Sequence, residues 1–329
     1  MRAHPPFVIV LDERSALDVL LSLGFLRLRD TLAIAVLGLA GCREPTDLSS
    51  YPWHDGVDCS TAAPDVVQLS DDTFVFRQPL CANFEGPFLY LFLGRTNALL
   101  LDSGTAASNM AIPVLAKVDE YRAKHGLDAY ELVVAHTHSH GDHVGGDRFF
   151  AERSDVTVVG RQQSEVARFF GLDRQTTGAG EARTWPNTSA RFDLGERVLD
   201  VLPLPGHDAA HLLVYDAKER LLLTGDTLYP GRLYIDVWPE FRASTKRLAE
   251  FAATHDVRWV LGAHIELQRE RNADGTASDY EMGAAVHANE HPLVLPPDEP
   301  AKLWTMVETM GETPRREASE HFIVYPVDR

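Results

Sequence analysis

From Val66 onward the chain alternates short, strongly apolar runs with polar turns, the pattern of strands buried on one or both faces. VVQL, TFVFR, FLYLFLG and NALLLD follow one another, with turns at 70–72 and 94–97, and predict an antiparallel meander rich in β-branched and aromatic residues. Apolar residues then recur at helical spacing over Ala111–His125 until Gly126 stops them, and an apolar strand at 130–135 completes a β-α-β step. A helix opening at Gly145, a strand at 156–160 and a helix at 162–170 closed by Gly171 come next. Residues 172–188 lose periodicity and read as a long loop. Strands return at 191–194, at 198–204, in HLLVYD, in LLLTG and in RWVLG, with a packing helix at 242–255 before the last of them. The segment 267–300 is irregular, and a helix at 301–310 and a strand at 322–327 follow it.

Several of these apolar strands end on a metal-binding type of residue. The strand at 130–135 runs into HTHSHGDHVGG, where His138, His140, Asp142 and His143 read H-x-H-x-D-H. Imidazole and carboxylate suit Zn²⁺, whose catalytic sites leave a position open for water, and they suit iron as well. Adjacent Asp142 and His143 do not turn easily toward the metal that His138 and His140 reach, so two metals are expected. A histidine-rich surface loop accounts for one such cluster by itself. It does not account for Asp102 after three leucines, His207 in PLPGHDAAH, Asp226 after LLLTG and His264 in RWVLGAHIE.

Taken in order, these motifs resemble those of the metallo-β-lactamase superfamily over about residues 66–265. The resemblance implies an α+β four-layer αββα sandwich, with the metal site at one edge of two facing sheets. It implies that His138, His140 and His207 hold one metal and that Asp142, His143 and His264 hold the other. Asp226 bridges them, as in the glyoxalase II-like and lactonase-like branches, whereas zinc β-lactamases place Cys or Ser there. Asp102 falls where a carboxylate beneath the metal loop orients ligands, a role compatible with capping the turn. Tyr229 stands where lactonase-like members carry a catalytic tyrosine, with packing as the alternative reading. Arg232 either grips a substrate carboxylate or pairs with an acid. His136 and His211 are read as neighbours of the ligands, and His287 and the Glu-His-Pro at 290–292 as surface or loop residues.

The function expected from this resemblance is a dinuclear zinc-dependent hydrolase. In it, metal-bound hydroxide attacks the carbonyl of an ester, thioester or lactone, with Asp142 and Tyr229 as catalytic candidates. An iron-dependent sulfur dioxygenase of the same fold, or a weak β-lactamase, is the alternative. Two Zn²⁺ set against Asp142, Asp226 and a bridging hydroxide leave a net charge of about +1, which favours a small-molecule substrate that is anionic or carbonyl-rich. Substrate choice is expected to lie with 172–188, 267–300 and 83–88.

Composition adds two points. A chain of 329 residues that is 45% hydrophobic can bury a large core, and a formal charge of −17 repels phosphate backbones, which argues against nucleic-acid partners. Near the amino terminus, TLAIAVLGLAGC at 31–42 follows Arg27 and Arg29 and is too short to span a bilayer, yet fits the apolar part of a secretory signal. Its LAGC resembles a bacterial lipobox, which implies acylation of Cys42. The expected organisation is a lipoprotein signal peptide at 1–41, a tether at 42–64 and a hydrolase domain at 65–329. The protein would sit in the bacterial cell envelope facing the periplasm, touching the membrane only through a lipid anchor on Cys42. Twenty-six residues precede Arg27, with their own apolar patch at 16–26, so either the n-region is unusually long or the true start codon lies further in. A cytoplasmic amino-terminal helix is the alternative to a signal. With Cys42 lipidated, Cys59 and Cys81 leave an even pair for an oxidising compartment.

Overall fold

A computed structural model describes residues 46–60, 63–176 and 182–327. The expected signal segment and Cys42 lie outside the described residues.

Asp65–Ser70, Thr73–Arg77, Phe88–Leu93 and Asn97–Leu101 pair as the antiparallel meander that their apolar runs predict. Glu131–Ala135 and Val156–Val158 extend this sheet in parallel, to six strands in chain order. The second six-stranded sheet runs Val294–Leu295, Trp259–Gly262, Leu221–Gly225, Leu212–Asp216, Val198–Pro203, Ala190–Asp193. Its one parallel pair, Leu221–Gly225 with Trp259–Gly262, needs a crossover, which Trp238–Thr254 supplies, just as Ala111–His125 crosses over in the first sheet.

Strand alternation sorts the apolar residues into layers. Leu99 and Leu101 of the first sheet meet Leu221 and Leu223 of the second in a shared core. Ala98 and Leu100 point the other way, onto Val114, Val118 and Tyr121 of Ala111–His125. Leu222 and Val260 likewise face outward, onto Trp238, Phe241 and Leu248 and onto Leu303 and Val307 of Glu299–Met310. The result is helix, sheet, sheet, helix. Strands covered on both faces read as continuous apolar runs, which is why the pattern was legible.

The structure departs from the sequence reading where local pattern is weak. The helix expected at 242–255 starts at Trp238, because Pro239 suits a first-turn position where no N–H is needed. The aperiodic stretch 172–188 contains an exposed antiparallel hairpin, Arg174–Thr176 with Ala182–Thr184, whose polar strands carry no apolar alternation. Leu267–Arg271 and Ala277–Asp279 form another hairpin inside the segment expected to be irregular, and Arg232–Ile235 pairs in parallel with Ile323–Pro326. Part of the stretch 42–64, expected as a tether, packs on the domain. Leu48 and Trp53 enter the core between the sheets, Trp53 packing edge-on against Phe88 at 4.8 Å, because burying these apolar side chains stabilises the docked chain. Cys59 and Cys81 are joined by a disulfide, with Cα atoms 5.6 Å apart.

One buried ion pair joins the sheets. Arg197 Nη2 lies 2.6 Å from Asp216 Oδ2 and donates to Thr73 Oγ1 at 2.7 Å, and its guanidinium covers the Phe92 ring at 4.9 Å. Replacing Asp216→Ala leaves the buried guanidinium only its longer contact with Asp72, at 3.4 Å, and the expected loss in urea unfolding is about 3 kcal/mol. A loss below about 1 kcal/mol would place this pair with exposed salt bridges.

Candidate metal centre

Strand ends converge at one edge of the sandwich. Asp102 follows Asn97–Leu101, the histidine loop follows Glu131–Ala135, His207 follows Val198–Pro203, Asp226 follows Leu221–Gly225, and His264 follows Trp259–Gly262.

Three ring nitrogens meet first. His138 Nε2 and His140 Nδ1 are 3.0 Å apart, and His207 Nε2 is 3.1 and 3.0 Å from them. Each such nitrogen offers one proton or one lone pair, so a triangle at this spacing cannot be satisfied by hydrogen bonds alone. A tetrahedral ion with bonds of about 2.0–2.1 Å sets its nitrogen ligands about 3.3 Å apart, close to this triangle. A second set adjoins it. Asp142 Oδ2 lies 3.0 Å from His143 Nε2 and 3.1 Å from His264 Nε2, with the two nitrogens 3.3 Å apart. Asp226 turns one oxygen toward each set: Oδ2 is 3.6 Å from His207 Nε2, while Oδ1 is 3.6 Å from His143 Nε2 and 3.5 Å from His264 Nε2. Oδ1 is buried without a hydrogen-bond partner, an unfavourable state that a cation relieves. All seven side chains expected as ligands are therefore brought together, in three overlapping groups each able to hold a metal ion, the third joining His138, His143 and Asp226.

The far side of most rings is also engaged. His143 Nδ1 donates to Asp102 Oδ2 at 3.0 Å, and Asp102 also accepts from the Thr137 N–H at 2.7 Å. Asp102 holds φ at 69°, a conformation uncommon outside glycine, which is retained where surrounding contacts over-determine it. His207 Nδ1 donates to the Tyr234 carbonyl at 2.6 Å and His264 Nδ1 to the Glu85 carbonyl at 2.9 Å, so both aim Nε2 at the centre. His211 stacks beneath His138 and accepts from the Asp226 N–H at 3.2 Å, and His136 bonds Asp147 at 2.8 Å; neither joins a donor set. Gly225, at φ 48°, passes so close to His211 that a Cβ would lie 2.8 Å from its Nε2.

Charge is divided between the sets. Burial, then the neighbouring imidazoles, hold His138 well below its ordinary pKa, and burial also lowers His207. In the second set burial is overridden: Asp142, Asp102 and Asp226 raise His143 well above its ordinary range, and Asp226 with Asp142 pushes His264 up to about 9. Burial likewise works against ionisation of Asp142, yet His143 and His264 hold its carboxyl far below the usual carboxylate range. His138 and His207 thus present neutral imidazole, and His143 and His264 collect positive charge among carboxylates, where a cation would displace protons.

Other expectations change. The Tyr229 hydroxyl donates to the Arg232 carbonyl at 2.5 Å and lies 3.0 Å from Glu266 Oε2, so its one proton is directed away from the donor sets. Arg232 takes the acid-pairing alternative, bonding Glu266 at 3.2 Å, Asp279 at 3.0 Å and, through Nε, the Tyr234 hydroxyl at 2.9 Å. His287 and His291 are interior residues: His287 is fixed between Glu290 and the Ala284 carbonyl, each at 2.9 Å. A cavity of about 480 Å³ opens over the donors, lined also by Phe84, Glu85, Tyr234, Glu281 and Met282. No described residue of 172–188 lines it, whereas 83–88 and 267–300 both contribute. Sequence reasoning passed over Tyr234, which lies in a four-residue strand with no motif to mark it.

Comparison with known proteins agrees with this architecture. The family model described as the metallo-beta-lactamase superfamily matches residues 83–264. A hydroxyacylglutathione hydrolase of Rhizobium meliloti (strain 1021) is 31% identical over 155 residues, covering 44% of this chain and 55% of that protein. The acyl-coenzyme A thioesterase MBLAC2 of Gallus gallus is 26% identical over 226 residues, covering 60% of this chain and 79% of that protein. The chain spans about half the length of the bacterial hydrolases it matches, 42% to 57% for three of them. Among solved structures, an archaeal metallo-beta-lactamase superfamily protein, ST1585 from Sulfolobus tokodaii, aligns with a TM-score of 0.41 and 16% identity, over 71% of this chain and 85% of that one. Because the family match takes in more than half of the chain and contains every one of the seven converging donors, the chain belongs to the metallo-β-lactamase superfamily.

Proposed function

We propose that the protein is a dinuclear zinc hydrolase of carboxylic esters, thioesters or lactones. The observation that carries this reading is Asp226, with one oxygen toward each of two three-donor sets. His138, His140 and His207 with Asp226 Oδ2 would hold one ion, and Asp142, His143 and His264 with Asp226 Oδ1 the other. Ions bound there supply Lewis acidity toward a carbonyl oxygen and lower the pKa of water to roughly 7. Relatives named as a hydroxyacylglutathione hydrolase and an acyl-coenzyme A thioesterase support an acyl bond as the target.

The chain's own residues divide the remaining work. Asp142 lies on the cavity wall and stays ionised beside His143 and His264, so it contributes charge and orientation and does not store a proton. Tyr234 is better placed than Tyr229 to donate to a developing oxyanion. Its hydroxyl accepts from Arg232 Nε, its own proton has no acceptor among the described residues, and it faces the cavity. Burial, aided by the Glu266 charge, pushes its pKa up to about 12, which keeps that proton in place at neutral pH.

The reading extends to location. We infer that residues 1–41 direct export and that Cys42 carries a lipid anchor, placing the protein at the periplasmic face of the cell envelope. The Cys59–Cys81 disulfide supports this, because such bonds persist in oxidising compartments.

Protein purified without added metal should contain about two zinc ions per chain and hydrolyse members of an ester, thioester and lactone panel. Asp226→Ala should lose metal and hydrolysis together while circular dichroism keeps its folded shape. Iron alone, or full activity in this variant, overturns the dinuclear zinc reading. Tyr234→Phe should lower kcat by about two orders of magnitude with metal content unchanged, and Tyr229→Phe should leave kcat near that of the parent. The opposite ranking returns the donor role to Tyr229. For location, the parent should fractionate with membranes and Cys42→Ser should not; identical cytoplasmic fractionation of both removes the export reading.

A further inference from the structure

The wall around the donors carries a charge pattern of its own. Beyond the donor sets, the charged side chains lining the cavity are Glu85, Glu266, Glu281 and Arg232. Arg232, the one cation among them, is already bonded to Glu266 and Asp279. Neither Glu85 nor Glu281 forms a salt bridge with an arginine or lysine among the described residues, although His264 and His143 lie close enough to Glu85 to favour its charge, and Phe84 and Met282 stand beside them with 44% and 63% of their surface exposed. The rim therefore offers two unpaired carboxylates and two bare apolar side chains, with no free cation.

This rim is preformed. Glu85 lies on the loop tied down by the Cys59–Cys81 disulfide, and its carbonyl accepts from His264. Glu281 and Met282 lie on the loop anchored by His287, which bonds Glu290, which in turn makes a bidentate pair with Arg77 at 2.6 Å. Gly56, on the segment the disulfide joins to the first loop, packs between the two, so closely that a Cβ there would be 2.1 Å from the Ala285 carbonyl oxygen and 3.3 Å from Leu80 Cβ.

We propose that the substrate carries an amine or quaternary ammonium group on an apolar segment close to its acyl bond. Glu85 and Glu281 receive the cation, Phe84 and Met282 the apolar segment, and the carbonyl reaches the donor sets. Phe84 adds a ring face to which an ammonium is attracted. This rests on the hydrolase reading above. The preference for anionic substrates expected from the sequence counted only the ions, their hydroxide and two aspartates. Carriers that bear carboxylates or phosphates meet, at this rim, two like charges, one half-buried at Glu85 and one exposed at Glu281, with no arginine or lysine left free to offset them.

The test uses the zinc-loaded full chain and two thioesters of one acyl group, whose leaving thiols end in trimethylammonium or in carboxylate. The expected kcat/KM favours the ammonium thioester by about tenfold or more, and the ratio falls toward one in the folded double variant Glu85→Gln/Glu281→Gln. Preference for the carboxylate thioester, or a ratio the variant does not change, overturns the proposal. Calorimetry with benzyltrimethylammonium and benzenesulfonate reads the rim without hydrolysis. Binding of the cation that the double variant loses supports the proposal, and absent or variant-insensitive cation binding overturns it. If neither thioester is cleaved, the hydrolase reading fails separately, and the calorimetric arm still decides the rim.

Discussion

Asp226 sits between two groups of donors that could hold a metal ion, and the edge of the sandwich is arranged around them. Three nitrogens at about hydrogen-bond spacing and a buried carboxylate oxygen with no partner are costly in a low-dielectric interior. They persist because the donors follow strands anchored in the cores: Glu131–Ala135, Leu221–Gly225 and Trp259–Gly262 are buried along almost their whole length, and Val198–Pro203 buries every second residue. Leu221–Gly225 and Trp259–Gly262 run parallel, so Asp226 and His264 emerge at the same end, and the first sheet delivers Asp102 and the histidine loop opposite them. The cores that anchor the strands thus bear the electrostatic strain of the site.

Rigidity is carried inward to the rings by a few contacts. Asp102 keeps an unfavourable backbone conformation so that one carboxylate can hold both the Thr137 amide and His143. Gly225 permits an approach to His211 that a side chain would block. The Glu85 and Tyr234 carbonyls set the imidazole orientations of His264 and His207, so the loops that frame the cavity are also those that aim the donors. Substrate-facing and metal-facing functions are therefore coupled through backbone atoms, with no side-chain motif to announce it.

Electrostatics separate the depth of the cavity from its mouth. The donor sets call for positive charge at the bottom, whereas the wall above them is acidic, and its one arginine is neutralised by neighbours. A net count over the ligands alone predicts attraction for anions. The distribution of charge along the path predicts the reverse for whatever part of the substrate remains at the rim.

The order of strands, the two crossover helices and the residues that converge at the edge were legible in the sequence because they depend on local pattern. Buried strands read as apolar runs, and a His or Asp that follows such a run at a fixed step has a direction set by the strand before it. Turns carry no such constraint. Tyr229 and Arg232 lie near Asp226 in the chain, yet a tight turn points the first at a carbonyl and ties the second to Glu266 and Asp279, so of the two tyrosines that line the cavity it is Tyr234 whose proton has no acceptor among the described residues. The folding back of Leu48 and Trp53, the exposed hairpin in 172–188 and the pairing of Cys59 with Cys81 depend on surfaces supplied by distant segments. The acidic rim is of the same kind. Glu85 and Glu281 are nearly two hundred residues apart, and only the packing of their two loops makes them neighbours of one cavity.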